Sequence, residues 1–296
     1  MRSEKDMLDL ILRVAQGDDR VRAVYMNGSR ANPNAPRDLF QDYDVVYAVT
    51  DIRSYQDSDA WIDVFGPRLM LQKPNWMDSQ CGEPVDLDES CNYQMLFNDG
   101  NRIDLTLLAL PYLHAAYTGD SLTLPLLDKD GLLPPIPPAS DRDYRVNRQP
   151  QAIHFFATVN NFWWCLQNVA KGLARDEIPY AKEMFDGVVR GDMNRMLSWQ
   201  IAQEHAEPVS VGKAGKYFAR FMPPQRYADY LSTYAGADRA DCWHALFAAC
   251  ALFRQAAEAV AAALGFDPQR QDAEQMLSYL RRVSQLPDGA TEIFPG

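Results

Sequence analysis

The chain has 296 residues, a hydrophobic fraction of 47% and a formal net charge of −11, which together fit two domains of ordinary soluble composition. So acidic a chain lacks the basic balance expected of a protein that grips phosphate backbones, and no nucleic-acid partner is expected. No apolar run approaches the ~18–20 residues of a membrane helix, and the charged start Met1-Arg2-Ser3-Glu4-Lys5-Asp6 has no apolar h-region, so the expectation is a cytoplasmic protein with no membrane partner.

Ser3 and Asp6 have the spacing of a capping box. Met7, Leu10, Ile11 and Val14 follow at helical spacing before Gly17, predicting an amphipathic helix over 4–16. Val21 to Met26 reads as a strand that runs into Asn27-Gly28-Ser29-Arg30. A polar loop over 31–41 precedes a second strand, Tyr43 to Val49, rich in β-branched and aromatic residues. A short helix is expected over 58–65, a strand over 68–72 and loop over 73–90. Two apolar runs, Asn92–Phe97 and Arg102–Leu110, flank Asn98-Asp99-Gly100-Asn101, a four-residue hairpin loop. Pro111 suits the first position of another short helix. Five prolines between 134 and 150 mark a boundary. From 151 to 285 the apolar pattern is helical. The layout is therefore an α+β half over 1–135, a Pro-rich linker over 136–150 and an all-α bundle over 151–296.

Chemistry concentrates in three short stretches. Asp42 and Asp44 lie two apart on a strand, so both point to one face with Cα atoms about 7 Å apart. Two carboxylates that close repel unless a cation lies between them. Asp104 is a lone acid in the apolar strand Arg102-Ile103-Asp104-Leu105-Thr106, costly to bury as an ion without a metal, a basic partner or an edge position. If this strand neighbours the 43–49 strand, three carboxylates meet, a set suited to Mg²⁺. Two such ions can clamp a nucleotidyl transfer. Gly28-Ser29-Arg30 follows the first strand directly. The glycine lets backbone approach a phosphate, Ser29 adds a hydroxyl and an N–H, and Arg30 adds a fork for phosphate.

Other candidates carry less. Gly212-Lys213-Ala214-Gly215-Lys216 lacks the spacing and the Ser/Thr of a P-loop, although Lys213 offers a point charge to a triphosphate. Phe162, Trp163 and Trp164 form an aromatic cluster on a helix, which suits core packing, with Trp163 also a candidate for stacking on substrate. Five scattered cysteines without a C-x-x-C pair make neither a disulfide framework nor a zinc site.

The ordered set of helix, strand, Gly-Ser, Asp-x-Asp strand and hairpin strand with a third Asp resembles the nucleotidyltransferase superfamily that includes DNA polymerase β. A closer resemblance is to the aminoglycoside 6-adenylyltransferases. It is carried by Gly28-Ser29-Arg30-Ala31-Asn32, Phe40-Gln41-Asp42-Tyr43-Asp44, Met70-Leu71-Gln72-Lys73-Pro74, Ile103-Asp104-Leu105-Thr106-Leu107-Leu108 and Asp128-Lys129-Asp130. In the helical half it continues at Lys171-Gly172-Leu173, Ser198-Trp199 and Ser210-Val211-Gly212-Lys213. The resemblance implies a polymerase β-like mixed sheet followed by a helical bundle, with substrate between them. It implies a reaction in which ATP adenylylates the 6-hydroxyl of streptomycin and releases pyrophosphate. Asp42 and Asp44 would then hold Mg²⁺ and Asp104 would be the third ligand or the base. Gly28, Ser29, Arg30 and Lys213 would hold the triphosphate. The acidic surface suits a cationic aminoglycoside, whose guanidinium groups it would attract. Two alternatives stay open: another small acceptor, such as a different aminoglycoside, a lincosamide or a protein side chain, and a non-catalytic partner-binding module, whose mark would be a missing carboxylate.

Overall fold

The first helix, α1 (Glu4–Gly17), starts where the capping box places it. Ser3 accepts from the Asp6 backbone and Asp6 answers to the Ser3 backbone, satisfying two of the free N–H groups at the helix start. The computed structural model describes residues 1–287 and 289–294. They divide into two compact units, Met1–Asp143 and Tyr144–Gly296.

The first unit is built on a mixed sheet. Its strands are β1 (Val21–Asn27), β2 (Tyr43–Val49), β3 (Arg68–Gln72), β4 (Ser90–Phe97), β5 (Arg102–Ala109) and β6 (Leu124–Asp128). The spatial order is β3-β4-β5-β2-β1-β6. All pairs are antiparallel except β2 and β5, which run parallel. The short α2 (Gly28–Ala31) follows β1 at once, α3 (Pro74–Gln80) follows β3, and α4 (Leu113–Thr118) lies between β5 and β6. Alternation sends Tyr43, Val45, Tyr47, Tyr93, Met95, Ile103 and Leu105 into one core with Met7 and Ile11 of α1. Leu113 and Tyr117 of α4 cover the other face over Tyr25 and Ala48. That leaves the even-numbered residues of β4 and of the start of β5, polar apart from Leu96, as the accessible face of the sheet.

Two elements differ from expectation. Residues 74–80, expected as loop, form α3, with Pro74 in its first turn and no buried residue. A helix with no buried stripe gives no apolar period to read. The strand β6 was not anticipated; it pairs with β1 through Ala23↔Asp128 and Met26↔Leu124. Just beyond it, Lys129 Nζ donates to the carbonyls of Ala15 at 2.8 Å and Asp18 at 2.9 Å. A cation there satisfies the open carbonyls at the end of α1 and complements its dipole.

The second unit is helical: α5 (Ala152–Ala174), α6 (Ile178–Glu183), a π-helical turn over Met184–Val189, α7 (Arg190–Glu204), α8 (Phe218–Phe221), α9 (Pro224–Leu231), α10 (Arg239–Leu264) and α11 (Arg270–Ser284). Phe162 of α5 stacks on Phe253 of α10 at 3.6 Å between centroids. Asp238 caps α10 by accepting from the Ala240 and Asp241 backbones at 2.8 and 3.0 Å. Taken as a whole helix, α10 is long and apolar enough to cross a membrane, which a search for unbroken apolar runs overlooks because Arg254 interrupts it. One of its faces, with Leu246, Cys250, Phe253 and Val260, is buried in the core of this unit.

Candidate active site

The site grows from the junction of β1, β2 and β5. Parallel pairing sets Asp44 opposite Asp104, in a register that runs from Tyr43↔Ile103 to Val49↔Ala109. Asp42 precedes β2 by one residue. Oxygen atoms of Asp42, Asp44 and Asp104 all lie within 4.8 Å of one another, and all three residues are partly exposed. Of the expected residues, the structure therefore brings these three carboxylates together.

Gly28 closes the site from the side of β1. Asn27 pairs with Asp44, and the chain then turns through Gly28 at φ +74. A Cβ on Gly28 would lie 2.0 Å from Asp44 Oδ2, so any larger residue would push that carboxylate aside as well as strain the left-handed backbone. The Ser29 hydroxyl next to it has no hydrogen-bond partner among the described residues.

Burial raises the Asp44 carboxyl, the charges of Asp42 and then Asp104 raise it further, and Arg102 only partly opposes them; the result is pushed up to about 7. Three acids held this way cannot all ionise comfortably without a cation. The donor set is all oxygen, which suits a hard divalent ion such as Mg²⁺.

Arg102, two residues before Asp104 on the same face of β5, was not anticipated. Its Nε and Nη2 donate to the two Asp104 oxygens at 2.6 and 2.5 Å. This two-point fork fixes the carboxylate's plane as well as its charge. The i, i+2 spacing on a strand was the available signal.

Two expected site residues sit elsewhere. Arg30 was expected to offer its fork to phosphate. Instead its guanidinium is 7% exposed, donates to the carbonyls of Asp42 at 3.0 Å and Gln41 at 2.7 Å, and lies 3.8 Å from the Tyr43 ring centroid. Its donors hold the backbone that carries Asp42. Trp163, the substrate-stacking candidate, is 3% exposed and packs edge-on against Phe162 and Phe253. It is a core residue, and its neighbour Trp164 is the one at the surface. Lys213 is exposed on a single 3₁₀ turn of the second unit, Lys213–Gly215.

The chain as a whole is similar to known proteins. The family profile described as streptomycin adenylyltransferase matches residues 1–283. An aminoglycoside 6-adenylyltransferase of Bacillus subtilis (strain 168) is 38% identical over 267 residues, covering 90% of this chain and 93% of its own. One from Campylobacter jejuni is 38% identical over 284 residues, covering 95% of this chain and 96% of its own. A crystal structure of an aminoglycoside 6-adenyltransferase from Bacillus subtilis is 33% identical, covers 97% of this chain and 100% of that one, and superposes with a TM-score of 0.47.

Proposed function

The chain belongs to the streptomycin adenylyltransferase family, and from that premise we propose that it transfers AMP from ATP to the 6-hydroxyl of streptomycin. The observation that carries the reading is the convergence of Asp42, Asp44 and Asp104 within 4.8 Å, beside a glycine turn where a Cβ would displace the Asp44 carboxylate. A module that had given up catalysis would have no reason to keep three mutually repelling carboxylates at one register.

In the proposed reaction the acceptor hydroxyl oxygen bonds to the α-phosphorus of ATP. The bond from that phosphorus to the β-phosphate bridging oxygen breaks, pyrophosphate leaves and the hydroxyl proton is released. Asp42 and Asp44 would hold Mg²⁺, two ions in the full arrangement, with Asp104 beside them. When bound, the ions neutralise the triphosphate and the charge that develops on the departing pyrophosphate. Gly28 allows the phosphates to approach the backbone, and the unpartnered Ser29 hydroxyl is available to them. Arg102 orients the Asp104 carboxylate. Arg30 holds Asp42 in place through its carbonyl rather than contacting ATP. The acidic surface favours approach of a guanidinium-bearing acceptor.

Mass spectrometry of streptomycin incubated with ATP, Mg²⁺ and the full chain tests the reading. A gain of one AMP is expected, and none when the cation is chelated. Labelled AMP appearing only on a different aminoglycoside would change the acceptor and keep the reaction class. Titration of Asp104→Asn with Mn²⁺ separates the two roles of that residue: a ligand loses cation affinity, whereas a proton acceptor loses turnover and keeps it.

A further inference from the structure

The sheet register extends the carboxylate pair into a longer row. Gln72 of β3 pairs with Gln94 of β4, Gln94 with Asp104 of β5, Asp104 with Asp44 of β2, and Asp44 with Asn27 of β1. Residues at one register of neighbouring strands share a face. The two glutamine side chains therefore continue the face that bears the carboxylates, one and two strands away, at about 4.8 Å per strand.

The amides of this row differ in what they do. Asn27 donates to Thr123 Oγ1 at 2.8 Å, and the nearby Asn92 donates to Thr106 Oγ1 at 2.7 Å. Both serve the fold. Among the described residues neither Gln94 nor Gln72 has a hydrogen-bond partner for its side-chain amide. Gln94 is half-buried and Gln72 exposed, and beside them Met70 and Leu96 are 66% and 38% exposed. Neither amide is sealed from solvent, and with no bond to the protein both stay open to a ligand on this face.

We infer that Gln94, with Gln72 beyond it, forms the subsite that orients the acceptor's ring. The inference rests on the adenylyl transfer proposed above and deepens it. The ligand class is a polyhydroxylated ring carrying guanidinium or amino groups. A neutral amide suits such a ring, because its Nε2 donates to a hydroxyl and its Oε1 accepts from a guanidinium N–H. With one hydroxyl placed at Asp104, a neighbouring substituent of the same ring falls one strand away, at Gln94. Met70 and Leu96 offer apolar contact to the ring's C–H edge. Gln94 is thus a positioning residue that selects which hydroxyl meets the metal carboxylates.

The test compares wild type, Gln94→Leu and Gln72→Leu as full chains, with streptomycin and with an analogue lacking the hydroxyl next to the acceptor hydroxyl. Gln94→Leu should raise KM for streptomycin about 3- to 30-fold while leaving Mn²⁺ affinity and the affinity for a non-hydrolysable ATP analogue unchanged. Gln72→Leu should act in the same direction and less. The analogue should be poorer than streptomycin for wild type and no poorer for Gln94→Leu, a pattern that a merely structural role does not produce. Unchanged streptomycin KM in both variants, with an active wild type, overturns the inference and leaves the reaction standing. So does a loss of cation or nucleotide affinity that matches the loss of turnover. A wild type that adenylylates no aminoglycoside overturns both.

Discussion

Gly28 and Asp44 touch so closely that a methyl group on the glycine would come within 2.0 Å of the carboxylate oxygen. The turn after β1 and the acid on β2 are in effect one part. The glycine also adopts φ +74, where an L side chain adds about 1–2 kcal/mol of strain.

Gly28→Ala is therefore expected to retain the fold and damage the site. Thermal unfolding should shift down modestly. Cation affinity, read by Mn²⁺ calorimetry, should fall about 10-fold or more, because the displaced Asp44 carboxylate no longer faces Asp42 and Asp104. Wild-type affinity in this variant would show that the contact is not needed.

Asp44→Asn should abolish turnover, by at least about 10²–10³-fold, and yet stabilise the metal-free protein at neutral pH. The folded carboxyl sits at about 7, above its ordinary value of 3.8, so between these values the folded state binds more protons than the unfolded one. Stability of the metal-free wild type must then fall as pH rises from about 4 through about 7. The Asn variant lacks that slope, and should be more stable near pH 8 by on the order of 1–3 kcal/mol. Denaturant melts at pH 5 and pH 8, in chelator, check this. Parallel curves for the two proteins would remove the repulsion from the account.

Arg30→Gln separates a backbone brace from a phosphate ligand. Losing two donors to part-buried carbonyls should cost about 1–3 kcal/mol of stability. Cation affinity should fall with it as Asp42 loosens, while KM for ATP at saturating Mg²⁺ stays within about 2- to 3-fold of wild type. A large rise in that KM with no loss of stability would return Arg30 to the triphosphate.

Trp163→Ala should lower stability by about 3–5 kcal/mol, the usual result of emptying an aromatic core position. Trp163→Phe should keep most of the stability and leave the KM for streptomycin unchanged. Denaturant unfolding and acceptor kinetics measure the two effects separately. An acceptor KM that rises in the Phe variant while stability holds would put Trp163 at the substrate.

Much of this was legible in the residues. The capping box at Ser3 and Asp6, the apolar alternation of β2 and the hairpin around Asp99-Gly100 are local patterns, set by neighbours a few positions apart. The register of that hairpin was not: a four-residue loop over 98–101 would set Gln94 opposite Leu105, whereas the Phe97 N–H donates to the Asn101 carbonyl at 2.9 Å and that tighter closure puts Gln94 opposite Asp104. The helix α3 was hidden because it buries nothing, and β6 because four of its five residues, Leu124 to Leu127, show neither strict alternation nor a turn signal.

By itself the sequence determined that Asp42 and Asp44 share a face, because strand geometry gives i and i+2 the same side. The meeting of that pair with Asp104 was decided by tertiary structure. β2 and β5 are parallel neighbours separated in the chain by β3 and β4, and no local pattern encodes which distant strand completes a sheet. The direction of Arg30 and the choice of Trp163 over Trp164 for the core were decided in the same way. Adjacent residues on a helix point about 100° apart, and packing against α10, with Phe253 edge-on to Trp163, buries Trp163 and leaves Trp164 at the surface.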